Sequence, residues 1–257
     1  MLTVSNTNGS GVALAAPTLG DLVVRGDTGY AMVPFLPTAR NLTTAGITNL
    51  LVDSSDRTSS TCYMRGLSEH IRITTSSSLP WLWRRICFTT KDDIFTVKVN
   101  GDQSPTSAYS PYFDTTSSNI GMTRIWFNLQ VNNTPNTVAV FNGIIFKGNF
   151  GQDWNDIMTA PTDPARITVK SDTTKTLQSG NERGVIREYK RWYPMNTNIV
   201  YDDDEQGAAE SGSYLTTKGK AGMGDYYIVD YIVPGKGGTG TDLLAINSTS
   251  TLYWHEK

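Results

Sequence analysis

Runs rich in β-branched and aromatic residues recur along the chain, separated by clusters of Gly, Pro, Asn and Ser. That pattern predicts strands at Leu22–Arg25, Tyr30–Leu36, Thr61–Thr75, Trp81–Thr89, Ile94–Val99, Thr123–Val131, Val138–Lys147, Arg166–Lys170, Gly184–Trp192, Tyr226–Val233 and Asp242–Trp254. Turn signals fall between them, as at Ser76-Ser77-Ser78, Asn100-Gly101-Asp102, Asn132-Asn133-Thr134-Pro135, Ser179-Gly180-Asn181 and Pro234-Gly235-Lys236-Gly237-Gly238. Many strands punctuated in this way read as an all-β sandwich or barrel.

Periodicity sharpens two of these strands. In Thr61–Thr75 one row is Tyr63, Arg65, Leu67, Glu69, Ile71 and Ile73, the other Cys62, Met64, Gly66, Ser68, His70, Arg72 and Thr74. The second half alternates apolar with polar, as a strand buried on one side does; the first half is mixed. In Trp81–Thr89, Leu82, Arg84, Ile86 and Phe88 share one face and Trp81, Trp83, Arg85 and Cys87 the other. Both rows are heavy, so this strand is expected to be covered on both sides. Helix is predicted only in short pieces, Pro37–Ala45 and Gln152–Met158. Residues 1–20, rich in Asn, Gly, Ser and Ala, read as an N-terminal arm, poorly ordered or docked as a strand on a neighbour. Residues 21–257 read as one sandwich domain. The long polar links Gly101–Gly121 and Tyr201–Gly224 have the length at which loops tend to carry function.

Composition agrees with strands over helix. Hydrophobic residues are 38% and charged residues 18% of 257, and Thr, Ser, Asn and Gly fill the balance. The formal net charge of −2 and a pI of about 5.7 count against a nucleic-acid binder, which is usually basic. Cys62 and Cys87 make no disulfide framework and read as two half-buried free thiols. No stretch reaches the roughly 18 apolar residues of a membrane span, and the opening Met1-Leu2-Thr3-Val4 lacks the head of a signal peptide. A soluble chain with no membrane partner is the expectation.

Signals for catalysis are sparse. The two histidines, His70 and His255, lie far apart in strand contexts, and no nucleophile elbow, Walker A or dinucleotide glycine pattern is present. No enzymatic site and no cofactor are therefore expected. The run Asp202-Asp203-Asp204-Glu205 is a weak candidate for a divalent cation, since Ca²⁺ takes clustered oxygen ligands. Consecutive residues of an extended chain point opposite ways, however, and a solvated loop or a salt-bridge partner at a subunit contact is the more ordinary use.

The basic residues cluster. Arg65, Arg72, Arg84 and Arg85 fall in two successive strands with Trp81 and Trp83, and Arg183, Arg187, Lys190 and Arg191 fall in a later one with Tyr189, Trp192 and Tyr193. Cations neutralise phosphates while aromatic faces stack on bases, a combination that suits single-stranded nucleic acid. Taken singly, each Trp and Arg is as well suited to a core or a protein interface.

Two blocks resemble the capsid proteins of genomoviruses, the fungal circular single-stranded-DNA viruses related to geminiviruses. One is Thr61-Cys62-Tyr63-Met64-Arg65-Gly66-Leu67 followed by Pro80-Trp81-Leu82-Trp83-Arg84-Arg85-Ile86-Cys87-Phe88. The other is Ser179-Gly180-Asn181-Glu182-Arg183-Gly184, Lys190-Arg191-Trp192-Tyr193-Pro194-Met195-Asn196 and Val200-Tyr201-Asp202-Asp203-Asp204-Glu205. The resemblance implies a single antiparallel jelly roll, a sixty-copy icosahedral shell (T=1), circular single-stranded DNA inside it, and a location in the virion and the host nucleus. Such coat proteins usually begin with an arginine-rich arm, and this sequence has no basic run near its start. Either the arm lies outside this sequence, and the acidic balance then describes the shell domain alone, or DNA is packaged by the shell face alone. On this reading DNA is met by Arg65, Arg84, Arg85, Arg187, Lys190 and Arg191 with Trp83 and Trp192, of which only one member of each consecutive pair can face the genome. A carbohydrate- or ligand-binding β-sandwich is the alternative from another class, and a glycoside hydrolase a weaker third.

Overall fold

The computed structural model describes residues 1–43, 54–115 and 120–256. Its strands are β1 (Thr3–Thr7), β2 (Ala13–Leu19), β3 (Leu22–Arg25), β4 (Ala31–Phe35), β5 (Thr61–Thr75), β6 (Trp81–Thr90), β7 (Phe113–Thr115), β8 (Gly121–Trp126), β9 (Thr168–Leu177), β10 (Ile186–Val200), β11 (Asp204–Gln206), β12 (Ala209–Ser211), β13 (Asp225–Pro234) and β14 (Leu243–Glu256). One α-helix, α1 (Pro135–Ile145), lies among the described residues. The chain is an all-β sandwich.

Two four-stranded sheets make the sandwich, ordered β3-β14-β5-β10 and β4-β13-β6-β9, and every neighbouring pair in them is antiparallel. Numbered by their order in the chain, the eight sandwich strands run 1-8-3-6 in one sheet and 2-7-4-5 in the other. All but one of the connections between successive sandwich strands therefore cross from sheet to sheet. The exception joins β6 to β9 within one sheet, and its long excursion carries β7, β8 and α1.

Strand β5 explains its own mixed pattern. Its buried row is Cys62 and Met64, then Leu67, Glu69, Ile71 and Ile73, so the alternation slips by one residue at Gly66. Both neighbours slip there too, between Pro194 and Thr197 in β10 and between Tyr253 and Trp254 in β14. Gly66 has φ +153°, and a Cβ on it would lie 2.5 Å from the Tyr193 carbonyl oxygen and 2.7 Å from the Trp192 ring. Only glycine allows that close approach.

Strand β6 is covered on both sides, as its two heavy rows predicted. Trp81, Trp83, Arg85 and Cys87 face the partner sheet. Phe88, in the other row, stacks against Phe95 and Tyr227, with ring centroids 5.3 and 5.5 Å away, and Phe95 in turn meets Phe141 of α1. The excursion between β6 and β9 thus blankets the outer side of the β4-β13-β6-β9 sheet, while no described residues cover the outer side of the β3-β14-β5-β10 sheet.

Several local expectations are corrected. Val138–Lys147 is helix over most of its length, not strand. Pro135 occupies the first turn, Asp102 caps the helix by accepting from the Asn136 and Thr137 amides, and Thr137, Val138, Phe141, Asn142 and Ile145 form a buried stripe of helical period. Tertiary packing overrides the strand preference of the β-branched residues here. Ile94–Val99 holds a single 3₁₀ turn instead of a strand. Gln152–Met158 is a series of turns, and Pro37–Thr43 is not helical; Ala45, where the second predicted helix ends, lies outside the described residues. Both thiols are fully buried, not half-buried.

Residues 1–20 form a hairpin within their own chain. Every residue of β1 is buried. It runs antiparallel to β2 and parallel to β8, and Thr3 donates to the Ser248 carbonyl. The resulting β2-β1-β8-β7 sheet closes one side of the sandwich.

Candidate nucleic-acid interface

The fold buries three of the residues that the sequence offered to DNA, two of them inside the sandwich. Arg85 forms ion pairs with Glu69 of β5 and with Asp230 of β13, the latter at 2.7 Å. Arg124 of β8 bridges the same two carboxylates at 3.0 and 3.1 Å. The four side chains are buried, and their charges cancel. Trp83 is 3% exposed and donates its Nε1–H to Asp230, and Tyr193 Oη and Ser250 Oγ complete the shell. Burial raises the Glu69 carboxyl, but Arg85 and Arg124 outweigh it and hold the group below the ordinary carboxylate range.

Arg84 points to the other side of β6, as consecutive strand residues must. It is also buried, paired with Asp172 at 2.6 Å and donating to the carbonyls of Ile157 and Ala160. Trp83, Arg84 and Arg85 are thus corrected from DNA contacts to core and scaffold residues. The physical reason is that a strand covered on both sides buries charge only when each charge is paired.

The remaining candidates gather on the open sheet. Across β10 and β5 the register opposes Glu188 to Arg72, Lys190 to His70 and Trp192 to Ser68, so these residues share the outer face. Strand β14 adds Asn247, Thr249 and Thr251 opposite Arg72, His70 and Ser68. Arg72, Lys190 and Arg65 are exposed, and Arg65 donates to the Asn196 side chain at 2.6 Å. Glu188 opposes this positive charge, lying 3.4 Å from His70. Trp192 and Tyr253 are each 49% exposed, with ring centroids 5.8 Å apart. The close approach at Gly66 makes this possible, because the Trp192 ring lies against a backbone with no side chain.

Arg187 and Arg191 stand in the opposite row of β10, at the mouth between the two sheets. Arg191 lies 5.7 Å from the Tyr189 ring centroid and Lys175 of β9 lies 4.9 Å from it. Among the described residues β10 pairs only with β5 and β9 only with β6, so this mouth is bounded by the outer edges of the two sheets. Lysine and arginine along them discourage unplanned strand addition.

The acidic run does not converge. Asp203 is consumed by a buried pair with Arg57, whose guanidinium sits 3.8 Å over the Tyr201 ring. Burial raises the Asp203 carboxyl, but the bonds from Arg57 and the Ser213 amide outweigh it and hold it below the ordinary range. Asp202, Asp204 and Glu205 are exposed, the last two in the β11–β12 hairpin. Among the described residues no group of three or more His, Cys, Asp or Glu is placed to hold a metal ion. His255 stacks on Tyr63 at 6.3 Å.

Compared with protein-family models and with curated proteins, the chain matches none.

The sequence reading missed Tyr253 and undervalued Arg72. Tyr253 sits in a run of alternating Ser and Thr, and only the bulge opposite Gly66 brings it to Trp192. It also missed Arg57 and Arg124, for which no sequence signal separates a buried arginine from an exposed one.

Proposed function

We propose that this chain is the capsid protein of a small single-stranded-DNA virus, a jelly roll that assembles into an icosahedral shell around a circular genome. The observation that carries the reading is the asymmetry of the sandwich. One sheet is blanketed by the β6–β9 excursion, whereas the other presents Arg65, Arg72 and Lys190 around the exposed Trp192–Tyr253 pair. Cations beside exposed aromatic rings favour a single-stranded polyanion whose bases are free to stack.

The strand order supports the jelly-roll assignment. The orders 1-8-3-6 and 2-7-4-5 are what two interleaved Greek keys produce when an eight-stranded ribbon folds over on itself. The resemblance of the Thr61–Phe88 and Ser179–Glu205 blocks to genomovirus coat proteins adds the virus class. The open sheet then lines the shell interior, and the long links between strands serve contacts between copies that together bury far more than about 1,000 Å².

On this reading the localisation is the virion, and the host nucleus during assembly. DNA is held by Arg65, Lys190 and Trp192 on the open face, with Arg187 and Arg191 at the mouth beside it. The reading is tested by imaging the purified chain for closed particles and assaying them for nuclease-protected single-stranded DNA; free monomers under all assembly conditions overturn it.

A further inference from the structure

The far side of the sandwich carries a second site of opposite character. Between α1, the turns at 148–157 and the Gly29-Tyr30 turn lies a cavity of about 640 Å³. This is the size range of small-ligand pockets. Its apolar wall is Trp154 and Phe150, with ring centroids 5.3 Å apart and edge to face. Phe150 is 71% exposed, so its ring is presented to a ligand and is not spent on the core. Trp154 is anchored from behind by Phe146 at 5.2 Å.

The polar lining is made of amides. Asn149, Asn155 and Gln130 line the cavity, together with Asn142, which is fixed by Tyr30 and Tyr231. Trp154 Nε1 is buried with no hydrogen-bond partner among the described residues. Among the described residues no Lys, Arg or His lines the cavity, and Asp156 is its one carboxylate.

We infer that this cavity is a binding site for a neutral saccharide. The face of an aromatic ring is negative and accepts the weakly positive C–H face of a pyranose. Carboxamides present a donor and an acceptor side by side, matching neighbouring hydroxyls that are both. The absence of any cation together with Asp156 disfavours sialic acids, uronic acids and phosphosugars. The same charge pattern separates this site from the DNA-facing sheet on the opposite side of the sandwich. The inference does not depend on assembly: in a shell whose interior is lined by the open sheet, this cavity opens outward, toward a host-cell glycan.

Ligand-observed saturation-transfer NMR on the full chain tests it. The probes are methyl glycosides of glucose, galactose, mannose and N-acetylglucosamine, with N-acetylneuraminic acid and glucose 6-phosphate as charged counterparts. At least one neutral glycoside gains signal at about 10 mM or below, and the charged counterparts bind at least about tenfold more weakly. Phe150→Ala, at an exposed position, loses at least about tenfold in affinity while the protein stays folded, and Asn149→Ala, which removes an exposed carboxamide from the lining, loses several-fold. Silence from every neutral glycoside overturns the inference. So does binding unchanged in both variants, or equal binding of the charged sugars.

Discussion

Arg85 Nε lies 2.7 Å from Asp230 Oδ1 at the centre of the sandwich, where no solvent reaches either group. The pair is half of a neutral quartet completed by Glu69 and Arg124. It ties β6 to β13 within one sheet and, through Glu69 and Arg124, to β5 in the other sheet and to β8 at the side. A buried charge deprived of its partner is the costly case, so Arg85→Ala is expected to destabilise the fold by about 3–5 kcal/mol, read as a lower urea midpoint at unchanged m-value. Replacing Arg85 and Asp230 together by apolar residues of similar size should cost less than the sum of the single changes.

Asp225 gives the fold a pH dependence opposite to that of most carboxylates. Burial pushes it up to about 7, from an ordinary 3.8, and outweighs the hydrogen bonding from Thr216, whose amide lies 3.3 Å away. The unfolded chain loses this proton first, so between about pH 4 and pH 7 the unfolded state is favoured progressively as pH rises. Above that window the loss is complete and flat. At about 1.4 kcal/mol per tenfold in proton affinity, the whole effect is of order 4 kcal/mol. Glu69 and Asp203, held low, act in the acid range below it: their stabilisation is present above the ordinary carboxylate values and is lost as pH falls through their depressed ones. Thermal melts at pH 5.5 and pH 8 are therefore expected to show the higher Tm at the lower pH, and Asp225→Asn should remove most of that difference.

Gly66→Ala should disturb the open face from below. The added Cβ meets the Tyr193 carbonyl and the Trp192 ring, and the backbone sits in a region that favours glycine. A cost of roughly 1–3 kcal/mol is expected, with a change in Trp192 fluorescence that Thr74→Ala, far along the same strand, does not produce.

How far the sequence carried can be judged from β5 and α1. Strand β5 was legible to the residue because its alternation is long and one-sided, and even its mixed half marked a true bulge. Helix α1 was not, because Val138, Val140, Phe141, Ile144 and Ile145 have strand preferences and the capping group is Asp102, far away in sequence. The same limit applies to the site. Strand periodicity correctly separated Arg84 from Arg85 and Lys190 from Arg191, but it carries no information on what packs above each face. The β6–β9 excursion buries Arg84 and the opposing sheet buries Arg85, and both coverings are long-range. Lys190 and Trp192 remained available because nothing among the described residues returns over β5 and β10.

For the open face the expected outcome is a graded loss of DNA affinity without loss of fold. Lys190→Ala or Arg72→Ala should lower the salt dependence of single-stranded DNA binding by roughly 0.7 per phosphate contact removed. Trp192→Ala should cost about 1–3 kcal/mol of binding through lost stacking, at little change in salt slope. Arg84→Ala should instead lower stability, since its guanidinium serves Asp172 and two backbone carbonyls. Filter binding across a salt series, paired with melting curves for each variant, separates these outcomes.

The most direct test of the capsid assignment is sedimentation velocity of the purified chain, recorded at both protein and nucleic-acid wavelengths with and without circular single-stranded DNA. The account predicts a single fast boundary, corresponding to a closed particle of some sixty copies, that carries nucleic-acid absorbance when DNA is present. A boundary that stays at monomer or dimer size, with the DNA sedimenting independently, would contradict it.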